Sequence, residues 1–97
     1  MNLDDVKSLT EKTLGDLLGK YGFDHVDLVA SKDHDDEDAL FLTANYRSGS
    51  TLPGGDVLVD ALTTLRTRLQ QSGESRFPYL THHLEDEEGY EDEETKE

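Results

Sequence analysis

A chain of 97 residues, 33% of them hydrophobic, can build one small core, and a net charge of −14 repels phosphate, anionic lipid and nucleic acid at long range. There is no cysteine, which excludes a disulfide framework and thiolate metal sites. The opening Met1-Asn2-Leu3-Asp4-Asp5 is acidic where a signal peptide is apolar, and no stretch approaches the ~20 apolar residues of a membrane span, so a cytoplasmic protein without membrane attachment is expected.

Leu3 to Tyr21 reads as a helix, because Val6, Leu9, Leu14, Leu17, Leu18 and Tyr21 recur near three- and four-residue spacing. Asp4 and Asp5 complement the dipole at its start, and Gly22 supplies a left-handed end. Gly15 and Gly19, four apart, predict close packing on a sheet. Asp24 to Arg47 then reads as a β-hairpin. Val26, Leu28 and Ala30 alternate on one arm; Leu40, Leu42, Ala44 and Tyr46 alternate on the other, with Phe41 facing the opposite way. The run Asp33-His34-Asp35-Asp36-Glu37-Asp38 between the arms is too charged for burial and suits a solvated turn.

Ser48 to Gly55 is a loop, and Asp56 is the expected N-cap of a second helix, Val57 to Gln71. Its apolar stripe is Val57, Leu58, Ala61, Leu62, Leu65 and Leu69, and Ser72-Gly73 ends it. Arg76 to His82 predicts a third strand, with Pro78 at a strand start or on an edge because it has no amide hydrogen. The order α-β-β-α-(β) predicts an α/β (α+β) two-layer sandwich: two helices on one face of an antiparallel-rich sheet. Val29, Phe41 and Tyr79 are the apolar candidates for the other face, where a contiguous exposed patch would mark a partner or homodimer surface.

Residues 1–84 are expected to form the domain and 85–97 an acidic tail, disordered in isolation. Glu85 to Glu97 holds nine acids and one lysine, a charge of −8; fourteen acids and eight basic residues leave −6 for the rest. Solubility or salt adaptation would account for such acidity as well as a functional charge display does.

Chemistry-bearing patterns are weak. The acidic turn offers hard oxygen ligands for calcium or magnesium, but an EF-hand reading would need Gly at Asp38 and Glu at Ala44. Gly49 to Asp56 has P-loop glycines, yet Gly55 stands where the lysine is needed and Asp56 where the Ser/Thr is needed. Strand alternation separates His82 from His83, and no strand-to-helix elbow presents a serine. No catalytic residue and no cofactor are therefore expected. Arg76 and His82 have the loose Arg-to-His spacing of HEPN ribonucleases, but Pro78 and the mixed α/β pattern exclude that all-α fold.

Asp33-His34-Asp35-Asp36 before a strand, together with Gly73-Glu74-Ser75-Arg76-Phe77-Pro78-Tyr79 after a Leu-rich helix, resembles small bacterial proteins encoded beside HEPN-type ribonuclease toxins. The similarity spans Val26 to Leu80, with Asp36 or Glu37 where that family has Gly. It implies an antitoxin-like partner with no catalytic residues of its own. The expected function is thus a non-enzymatic acidic protein-binding module that engages a basic protein, a nuclease or toxin, without contacting nucleic acid directly. Phe41 and Tyr79 would form the docking face. Glu85, Asp86, Glu87, Glu88, Glu91, Asp92, Glu93 and Glu94 would steer encounter, and Tyr90 would anchor the tail. The alternatives are a DNA-mimic inhibitor and a small divalent-metal-binding protein built on the acidic hairpin turn.

Overall fold

The computed structural model describes residues 1–85 and contains α1 (Leu3–Leu18), a 3-10 turn (Gly19–Tyr21), β1 (Phe23–Lys32), β2 (Asp38–Tyr46), α2 (Gly55–Gln71) and β3 (Phe77–Leu84). The α+β class and the element order are those expected. The segment from residue 86 onward lies outside the described residues.

Asn2 caps α1, its side-chain oxygen accepting from the Asp5 amide at 2.7 Å, and Asp4 and Asp5 occupy the first turn. Val6, Leu14 and Leu18 are fully buried on one side of it. The α-helix stops at Leu18 rather than Tyr21, tightening into the 3-10 turn before Gly22 takes the left-handed conformation at φ 102°. The expected close packing at Gly15 and Gly19 is not found. A Cβ at either would meet nothing within 4 Å, so their spacing is not a contact motif.

β1 and β2 pair antiparallel, with Val26 opposite Ala44, Leu28 opposite Leu42 and Ala30 opposite Leu40; the register shifts once, between Phe23 and His25. The hairpin closes through Asp33. Its amide donates to the Glu37 carbonyl at 2.9 Å, its carbonyl accepts from the Asp36 amide at 2.9 Å, and its carboxylate Oδ1 accepts from the Asp35 and Glu37 amides. Asp36 is left with φ 65°, a conformation glycine adopts without steric cost. Asp36→Gly should therefore stabilise the fold by about 0.5–1 kcal/mol, read as a higher urea midpoint at unchanged m.

α2 begins two residues earlier than its apolar stripe. Gly54, not Asp56, is the N-cap: its carbonyl accepts from the amides of Val57 and Leu58 at 3.1 Å, while Asp56 sits in the first turn, where its charge favours the dipole. The helix carries the chain back across the sheet, so β3 runs parallel to β2, with Leu40 opposite Pro78 and Leu42 opposite Leu80. The sheet is therefore mixed, in the order β1-β2-β3.

Even-numbered residues of β2 (Leu40, Leu42, Ala44, Tyr46) point toward the helices and are buried. They join Val6, Leu14 and Leu18 of α1, Phe23 and Val26 of β1, and Ala61, Leu65 and Leu69 of α2 in one core. Both helices lie over that face. The connection into β3 is pinned by an ion pair: the Glu74 carboxylate accepts from Arg76 Nε at 2.7 Å, Arg76 Nη2 at 2.9 Å and the Arg76 amide at 2.8 Å. The same guanidinium donates to the Met1 carbonyl at 2.9 Å, and the Met1 ammonium lies 3.7 Å from Glu74.

Candidate functional site

Because the strand period is two, the residues between the core positions form a second surface, and no described element covers it. Register aligns them in rows: Val29, Phe41 and Tyr79; Asp27, Thr43 and Thr81; His25, Asn45 and His83. Phe77 stands beside Tyr79 at the start of β3. Phe41 and Tyr79 stack with centroids 5.2 Å apart, and Phe77 meets Tyr79 edge-on at 4.8 Å. Val29 is 60% exposed, Phe41 36% and Phe77 41%. The pattern of apolar residues on both sides of β2 and β3 has its explanation here: one side fills the core and the other is an aromatic cluster in contact with solvent.

The cluster is framed by polar contacts. The Tyr79 hydroxyl donates to Asp33 Oδ2 at 3.0 Å, tying the third strand to the hairpin turn. That bond raises the Tyr79 hydroxyl's pKa; the Asp33 carboxyl is held below its ordinary value first by the Glu37 amide, with the Tyr79 bond acting in the same direction. Arg66 from α2 lies over the Phe77 ring at 4.8 Å. In the polar rows Asn45 donates to Asp27 at 2.9 Å, and the Thr43 and Thr81 hydroxyls are 3.3 Å apart. Among the described residues, Asp27 is the acidic member of these rows, and no Lys or Arg of the strands joins them.

Val29, Phe41 and Tyr79 thus converge, as their alternation implies. Phe77 completes the cluster and was missed as a face residue; its two-residue spacing from Tyr79 carried the signal. Glu85 lies apart from the aromatics. It is exposed at the far end of the sheet and lines a hollow with Asp24, His25, Asn45, Tyr46, Arg47 and His83. Asp86, Glu87, Glu88, Tyr90, Glu91, Asp92, Glu93 and Glu94 lie outside the described residues.

Other candidate chemistry is dispersed. His82 faces the core and is hydrogen-bonded through Nδ1 to the Tyr46 hydroxyl at 2.8 Å. Burial pushes Tyr46 up to about 12 and His82 down, so both are neutral near pH 7. His83 is on the opposite face, as strand alternation requires. Among the described residues no three His, Asp or Glu side chains are placed to hold a metal ion. In the acidic turn, Asp33 already accepts from two backbone amides and Tyr79, so its carboxylate closes the hairpin. No described helix is long and apolar enough to cross a membrane. Comparison with protein-family models, curated proteins and solved structures gave no match to this chain.

Proposed function

We propose that this chain is a non-enzymatic protein-binding module for a basic partner, antitoxin-like in that it neutralises a nucleic-acid-acting enzyme. The observation that carries the reading is the Val29–Phe41–Phe77–Tyr79 cluster on an uncovered sheet face. Rigid aromatic side chains of this kind contribute disproportionately at interfaces, because they bury large area at little cost in rotamer freedom. Net charge decides the partner's sign. A −14 chain is repelled by nucleic acid and by its own copies, and is drawn to cationic protein surfaces. The acidic run from Glu85 to Glu94 adds long-range steering, and the resemblance to proteins encoded beside ribonuclease toxins supports a nuclease as the kind of partner. A DNA mimic would need an organised carboxylate array, and the open face presents aromatics instead.

Capture from source lysate at low and at high salt, followed by calorimetry with the purified partner, tests this. The expected partner is basic and its affinity falls as salt rises. Phe41→Ser should weaken it about tenfold or more, whereas Tyr79→Phe, which keeps the ring stack, should leave it within about threefold. Equal affinity of Phe41→Ser and the wild-type chain removes the face from the interface.

A further inference from the structure

Among the described residues the sheet ends in two edges, β1 and β3, and they are unlike. β1 carries Asp24, Asp27 and Lys32, and its Val26 amide is already occupied, donating to Glu11 Oε2 of α1 at 3.1 Å. Charged side chains and engaged backbone groups are how proteins keep other strands off an edge. β3 reads Phe-Pro-Tyr-Leu-Thr-His-His-Leu and has no Asp, Glu, Lys or Arg, in a chain of which 33% is charged. Its guard is Pro78, at the second position. Among the described residues β3 is the last strand of the sheet, hydrogen-bonded to β2.

Both flanks of that edge are apolar. On the helix side α2 leaves β3 incompletely covered: Leu58, Val59, Leu62, Leu80 and His82 line a hollow of about 190 Å³, and Val59 is 62% exposed. On the open side stand Phe77 and Tyr79. A strand laid along β3 would place alternate side chains against the hollow and beside the aromatics, the arrangement in which main-chain bonds give affinity and pockets at period two give selectivity.

We propose that β3 receives an extended segment of the partner by strand addition, with an aliphatic side chain seated in the hollow between α2 and β3 and Lys or Arg flanking it. The inference rests on the reading of this chain as a binder of a basic protein. Charge selects the occupant: the acidic run that starts at Glu85 directly follows β3, so a cationic segment is attracted where a second copy, itself at −14, is repelled. Geometry selects its conformation, because a helix in the hollow would leave the edge N–H and C=O groups of β3 unpaired by it.

Panning a display library of random linear peptides on the full-length chain, then measuring selected peptides by calorimetry, tests the inference. Selected sequences should alternate apolar residues beside Lys or Arg. Val59→Asp, an exposed position whose fold is checked by circular dichroism, should weaken them about tenfold or more. N-methylation of the amides along one edge of the peptide should cost a similar factor, and methylation along the other edge should cost little. Peptides that ignore Val59→Asp and tolerate methylation on either edge overturn strand addition, as does a library that yields no binder. If those peptides or the purified partner are weakened by Phe41→Ser alone, the binding module stands and the edge is not its docking strand.

Discussion

Gly22→Ala is expected to cost about 2–3 kcal/mol and to lower the melting temperature by about 10–20 °C. Two independent effects add. Gly22 sits at φ 102°, where a Cβ is strained whatever surrounds it, and a Cβ built there would overlap Ser50 Oγ and lie 2.8 Å from Ser50 Cβ. The turn cannot easily move away, because the Gly22 carbonyl accepts from the Arg47 amide at 2.8 Å and so ties the end of α1 to the end of β2. Pairing the variant with Ser50→Gly separates the terms: relief of the overlap should recover part of the loss, and the backbone strain should remain. Thermal unfolding of the single and double variants reads both, and a single variant as stable as wild type would refute the assignment.

Glu74→Ala should cost about 2–3 kcal/mol, for a different reason. The Glu74 side chain is 2% exposed, and its charge is matched by Arg76 through three hydrogen bonds. Truncation leaves the guanidinium without its counter-ion in a partly buried site. Glu74→Gln keeps the shape and part of the bonding and should cost less. Arg76 holds the Glu74 carboxyl down at about 2 against an ordinary 4.5. A carboxyl whose pKa is lower in the folded state contributes its stability above the unfolded value and loses it as protons are added. The wild-type chain should therefore lose urea resistance as pH falls from about 4.5 toward about 2, and the Gln variant should lose less over that window. Parallel pH profiles for the two proteins would show that Glu74 is not the group responsible.

These two residues also mark what could be read from the chain. Gly22 was legible: a glycine directly after an amphipathic run and a lysine predicts a left-handed helix end, and only the overlap that a Cβ there would make with Ser50 depends on the tertiary structure. Glu74 was not. It stands among Gly, Ser and Arg in a segment that resembles a solvated connection, and its burial follows from where Met1 and Arg76 meet in space. Gly15 and Gly19 show the opposite error, a spacing that reads as contact but faces none. The cap of α2 moved from Asp56 to Gly54 because the extended backbone of Gly54 already presents the first accepting carbonyl, with no side chain required.

The elements and their faces were set by local chemistry: period-two alternation in the hairpin, period-3.6 stripes in the helices, and glycine or charge at the breaks. Those signals are local because each depends on which neighbours share a side of one helix or one strand. That β3 takes its place beside β2 and parallel to it, which brings Phe77 and Tyr79 alongside Phe41, was decided only by the assembled sheet. Register between segments far apart in the chain is fixed by packing against the shared core, and no single segment contains that information.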